Sequence, residues 1–165
     1  MTEQLFEHDN LNEMNLLENE IELVKAFGYI ELERFPNLTI HYDFPEQIPH
    51  VEVPSLLLRP LLENAVNHGI RKRNTDGSGN ITISITQEKQ KLHFSIRDDG
   101  AGCDEKVLER ALNHKDNDKF HSLYHIQYRL RNLYQENIIC KSVINVGTVI
   151  SFQIPINAKE ENTFS

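Results

Sequence analysis

Cysteine is scarce in this chain. Only Cys103 and Cys140 occur, too few for a disulfide framework or a zinc ligand set. Both are expected as reduced thiols in a cytosolic domain. No apolar run approaches the roughly 20 residues of a membrane span, and the acidic, polar N-terminus carries no secretory leader pattern. The segment is therefore expected to make no direct membrane contact. Positive charge is in deficit: 17 Lys and Arg against 25 Asp and Glu leave a net charge of −8. That disfavours a nucleic-acid partner, because such surfaces are usually basic. It does not exclude a nucleotide bound with a cation, since local charge matters more than the sum. The residue order of a Ser/His/Asp hydrolase and the HExxH zinc motif are missing, and so are internal repeats.

What is present is ordinary for one globular domain. The 165 residues, 39% hydrophobic and 25% charged, suffice for a real core. Residues 1–14 read as a flexible segment or the end of an upstream linker helix, 15–156 as the folded domain and 157–165 as a tail. Asn15 with Glu18 forms a capping-box pattern ahead of a helix running to Arg34. Alternation from Leu38 to Phe44 predicts a strand. Ile81, Ile83 and Ile85 alternate with polar residues, as do Leu92, Phe94 and Ile96, which predicts a hairpin turning at 88–91. Asp104 is a cap for a short helix through Ala111, and Leu123, Ile126, Leu130 and Leu133 mark another helix. Residues 113–120, NHKDNDKF, read as a polar, mobile stretch. A last hairpin is expected from Val143–Asn145 and Val149–Ile154 around Gly147. The order predicts an α+β domain: a two-layer α/β sandwich with a mixed, mostly antiparallel sheet of about five strands on about three helices.

The most informative stretch is PSLLLRPLLENAVNHGI, Pro54 to Ile70. Leu57, Leu58, Leu61, Leu62, Ala65 and Val66 recur at helical spacing. Pro54 suits the first turn, Pro60 marks a kink and Gly69 is a stop signal. Asn64, Asn67 and His68 can share one side of such a helix, with Glu63 beside them. That set suits a metal-bound anion, or else simply the polar face of an amphipathic helix. Asp98-Asp99-Gly100-Ala101-Gly102 closes a strand. It is either a plain Asp-Gly turn or a place where backbone approaches a ligand and Asp98 accepts from an amine. Gly147-Thr148 is either an ordinary strand start or a hydroxyl offered to a ligand. Arg129 pairs with phosphate or with an acidic surface residue. The cluster Arg71, Lys72, Arg73 reads first as a solvated loop.

Taken in order, these stretches resemble the ATP-binding catalytic domain of bacterial two-component sensor histidine kinases. The resemblance is to the autolysin-sensor type, whose ATPase fold is shared with gyrase, Hsp90 and MutL. Pro60 to Gly69 matches the family's N box, Asp98-x-Gly100-x-Gly102 its G1 box, and Gly147-Thr148 its late Gly-Thr pair. The resemblance implies ATP and Mg2+ as ligands. Asn64 is implied as the magnesium ligand, Asn67 and His68 as neighbours of the phosphates, and Asp98 as the adenine-reading carboxylate. Gly100, Gly102 and Thr148 join the nucleotide site, and Glu63 is the candidate activating residue. In gyrase-like relatives the base lies one turn earlier, where this chain has Pro60.

The phosphate-lid motif Gly-x-Gly-Leu is replaced by Phe120-His121-Ser122-Leu123, and His125 stands at the family's lid asparagine. Ser122 is expected to cap the lid helix and, with Leu123, to border the phosphates. The implied function is transfer of the γ-phosphoryl group of ATP to a histidine on an upstream dimerisation segment absent from this chain. A response regulator would act downstream. The implied location is cytoplasmic, at the cytosolic end of a membrane-anchored sensor. A non-catalytic nucleotide-binding or interaction module of the same fold is the alternative that the altered lid suggests.

Overall fold

The structure, a computed structural model, describes residues 13–115 and 119–156. The expectations for residues 1–12, for the tail from 157 onward and for the centre of the NHKDNDKF stretch lie outside them. Strand β1 (Met14–Leu16) leads into helix α1 (Leu17–Arg34), strands β2 (Leu38–Asp43) and β3 (Glu52–Pro54), and helix α2 (Leu58–Asn64). The helix continues without a break as a π-helical segment, Ala65–Ile70, and one further turn, α3 (Arg71–Arg73). Then come β4 (Gly79–Glu88), β5 (Lys91–Asp98), α4 (Glu105–Asn113), α5 (His121–Tyr134), β6 (Ile139–Val143) and β7 (Gly147–Pro155).

The main sheet has the order β2-β4-β5-β7-β6. Only the β2–β4 pair is parallel; the others are antiparallel. This is the mixed, mostly antiparallel sheet that the alternation predicts. Ile81, Ile83, Ile85, Leu92, Phe94, Ile96, Ile150, Phe152 and Ile154 line its buried face. Phe94 and Phe152 are cross-strand partners with stacked rings, 5.0 Å between centroids. Four helical runs complete the second layer. They contribute Leu17, Val24, Leu58, Leu61, Leu62, Leu108, Leu123 and Leu130, each at most 3% exposed. Among the described residues no helix is long and apolar enough to cross a membrane.

Several local expectations give way to long-range pairing. Asn15 does not cap α1. It lies in β1, which pairs with β3, and its amide donates to Glu20 at 2.9 Å. Pro54 ends β3 rather than opening a helix, opposite Met14 in that ladder. Pro60 falls in the first turn of α2, where no intrahelical N–H is needed, so it costs no hydrogen bond. Gly69 does not stop the helix, and Arg71, Lys72 and Arg73 are helical rather than loop. The first arm of the last hairpin is β6 at 139–143, not 143–145. Its apolar residues Ile139 and Val143 face outward while Cys140 and Ser142 face in, so hydrophobic alternation pointed to the wrong side. Asp104 does cap α4, accepting from Lys106 N at 2.8 Å.

Candidate functional site

The end of α2, the last residue of β5, the start of β7 and the residue preceding α5 converge on one cavity. Asn64, His68, Gly69, Asp98, Gly102, Cys103, Leu108, Phe120 and Thr148 line it. Asn64, His68, Asp98, Gly102 and Thr148, which the resemblance assigned to one nucleotide site, thus line one cavity. Asn67 is not among the lining residues. The cause is local: a π-helix carries more residues per turn than the 3.6 of an α-helix. From Asn64 the third residue on therefore falls far behind around the axis, while the fourth, His68, stays nearly above it. Asn67 accepts a hydrogen bond from Arg71 instead, at 3.3 Å.

Asp98 is the chemical centre of the cavity. It is 7% exposed, and its Oδ1 accepts from Gly100 N at 2.9 Å. Burial raises its pKa from the usual value near 3.8 to about 6; the Gly100 N–H opposes the rise, Asp99 adds to it, and the Thr148 N–H opposes it. The carboxylate can sit there only because the backbone beside it is bare. A Cβ at Gly69 would lie 2.6 Å from Asp98 Oδ1, and one at Gly100 would lie 2.3 Å from the Gly69 carbonyl oxygen. The G1 turn is also stitched to the helix, since Ala101 N donates to Gly69 O at 2.9 Å. The two motifs, separate in sequence, form one backbone junction.

Thr148 faces Asp98 across the β5–β7 ladder. Its hydroxyl lies 2.8 Å from Ser142 Oγ, which also accepts from Cys103 N at 2.8 Å. Ser142 therefore orients Thr148 and anchors the turn after Gly102. Sequence reasoning missed it; its only signal was an inward polar position in a strand whose register had not been recognised.

The rim is cationic. The His68 imidazole is held below its ordinary pKa by burial first, then by Lys72 and Lys119. Its Nδ1 is buried and without a hydrogen-bond partner among the described residues. The ring lies against Phe120, 5.3 Å between centroids at 56°. The cavity, which Phe120 helps to line, measures about 20 Å³, space for roughly one water. Glu63 is exposed and lies outside the cavity lining. Gly100 packs against the Gly69 backbone and is not among the lining residues. Ser122 is exposed in the first turn of α5 and does not cap it, while Leu123 is 0% exposed in the core. Arg129 is buried, donates to Glu13 O at 3.3 Å and sits in the field of the Glu20 and Glu13 carboxylates.

The donor set suits a purine nucleotide. A buried carboxylate accepts from an exocyclic amine, and a hydroxyl beside it adds a second polar contact. An amide oxygen at Asn64 can join the coordination of a cation carried by phosphates. Among the described residues no cluster of three or more His, Cys, Asp or Glu side chains could form a metal cage. Magnesium with a polyphosphate needs none, because it keeps waters and takes one or two protein oxygens.

Comparison with known proteins bears on the family and the fold. The family model described as histidine kinase-, DNA gyrase B-, and HSP90-like ATPase matches residues 53–158. Sensor histidine kinase YpdA of Escherichia coli strain K12 is 36% identical over 141 residues, 84% of this chain and 24% of YpdA. Sensor protein LytS of Bacillus anthracis is 29% identical over 151 residues, 88% of this chain and 25% of LytS. The chain thus spans about a quarter of the length of these two relatives. The nucleotide-free catalytic domain of histidine kinase ThkA shares the fold, with a TM-score of 0.69 at 18% identity, covering 90% of this chain and 97% of that one.

Proposed function

The chain belongs to the histidine kinase-, DNA gyrase B- and HSP90-like ATPase family, and on that premise we propose that residues 15–156 form an ATP-binding kinase domain. It gives the γ-phosphoryl group of ATP to a histidine on a dimerisation segment outside this chain, and a response regulator receives the group next. The domain then works in the cytoplasm, at the cytosolic end of a membrane-anchored sensor. The observation that carries this reading is one cavity lined together by Asp98, Thr148, Asn64 and His68.

In this reading Asp98 accepts from the adenine amine and Thr148 contacts the ring edge. Asn64 would hold Mg2+ through its amide oxygen, and the ion would neutralise phosphate charge. His68, Lys72 and Lys119 face the phosphates, with Asn67 and Arg71 behind them. Glu63, being exposed, is open to an incoming acceptor imidazole, where a carboxylate can take its proton. Calorimetric titration with ATP and magnesium tests the binding half of the reading; the absence of heat at millimolar ATP would overturn it. Labelling of the complete sensor at its histidine by radioactive ATP tests the transfer half.

A second reading rests on Phe120. Its contact with His68 leaves too little room for an adenine ring, as a non-catalytic interaction module of the same fold would show. Under that reading the complete sensor takes no label even when the domain is folded. Under the first, Phe120 swings off His68 when nucleotide enters.

A further inference from the structure

His121 and His125 stand four residues apart at the start of α5, on the same helix face. Their Nε2 atoms are 2.9 Å from each other, and the rings meet edge-on with centroids 4.4 Å apart. The Tyr124 ring packs against His125, 5.7 Å between centroids at 72°, which limits the freedom of that imidazole. The pair lies outside the cavity lining and has no place in the reading of the nucleotide site.

We infer that His121 and His125 form a two-imidazole site for a divalent transition cation of the nickel and copper class. The two Nε2 atoms share one hydrogen bond here; an ion that replaces its proton, with metal–nitrogen bonds of about 2.0–2.1 Å, would subtend roughly 90° at the same 2.9 Å nitrogen separation. That is the cis angle of a tetragonal or octahedral centre, the geometry nickel(II) and copper(II) prefer. Tetrahedral zinc fits only if the rings spread. Magnesium and calcium are disfavoured because they take oxygen ligands. His121 is exposed and His125 half-buried, so water can reach the pair from the His121 side. The site directly follows Phe120, so an ion there pins the first turn of the helix that carries the cover of the cavity.

The test is a calorimetric titration of nickel(II) chloride into the untagged chain, with thermal melts alongside. The expected result is one ion per chain and a melting temperature that rises with nickel. His121→Ala and His125→Ala should each weaken binding by about tenfold or more, because either loss turns a chelate into a single contact. His41→Ala, at an exposed histidine on β2, should bind as the parent does. Metal-free melts of all variants matching the parent show that the loss is not unfolding. Excess magnesium should not compete. Equal nickel affinity in the parent, His121→Ala and His125→Ala, or no binding by the parent, would overturn the inference, as would displacement of nickel by equimolar magnesium.

Discussion

Asp98 is a charge kept where charge is costly. With a folded pKa of about 6 and an unfolded value near 3.9, it binds its proton more tightly in the native state. Its stabilising contribution is complete below about pH 4 and is lost as pH rises through 6. Asp98→Asn removes that loss. The variant should therefore gain on the parent as pH rises from 4 to 7, by about 2–3 kcal/mol at neutral pH. Melts across this range measure it, and a difference that is flat with pH would refute the assignment. The same variant should bind ATP far more weakly, because an amide cannot offer two acceptor oxygens. Stability and ligand binding thus pull in opposite directions at one residue. Glu63 has the reverse profile, being exposed and outside the cavity. Glu63→Gln should leave the ATP dissociation constant unchanged and slow histidine labelling of the complete sensor by about 10²-fold, the usual size of a lost general base.

At the scale of elements, two devices set the site. The first is the π-helical segment. It keeps His68 over Asn64, turns Asn67 toward Arg71, and lets the helix run on past Gly69, whose bare backbone Asp98 needs. The second is a long-range cap. Glu20 on α1 is 1% exposed and accepts from Leu57 N at 2.8 Å and Leu56 N at 3.2 Å, at the mouth of α2. Helix α1 thereby holds the start of the helix that ends in Asn64. Glu20→Ala leaves the buried Leu57 N–H without its acceptor and the Leu56 N–H to solvent, and should cost about 2 kcal/mol, read by denaturant unfolding. Beside these two fixed devices, Phe120 is the part that the proposed function requires to move. Phe120→Ala should tighten ATP binding by several-fold if displacing that ring opposes entry, and calorimetry with magnesium would record it. Unchanged affinity would mean that Phe120 moves without cost.

At the scale of the molecule, the cavity lies where the sheet layer and the helix layer meet, lined by residues of both. Such a site is coupled to the whole fold: a ligand bound only by the native state adds its binding energy to global stability. Saturation with Mg-ATP at about 100 times its dissociation constant should add roughly 2.7 kcal/mol. In Asp98→Asn the addition should vanish at the same nucleotide concentration. An addition equal to the parent's in that variant would place the nucleotide elsewhere.

Much of this was legible in the residues alone. Strict alternation in β4 and β5 fixed which face is buried, because a strand's side chains repeat every two residues and only one face is apolar. Helical spacing located α2, α4 and α5, and the glycine-bearing motifs flagged Asp98 and Thr148. These are local patterns, written within a few residues. What only the tertiary structure decided depends on partners far apart in sequence. Asn15 was drawn into β1, which pairs with β3, and Glu20 caps not its own helix but the distant mouth of α2. Ser142 joined Thr148 through a register that the outward-facing Ile139 and Val143 had disguised. The π-helical winding, and with it the exclusion of Asn67, arises where the helix must pass its glycine against Asp98. Periodicity records which side of an element is buried; it does not record what that side meets.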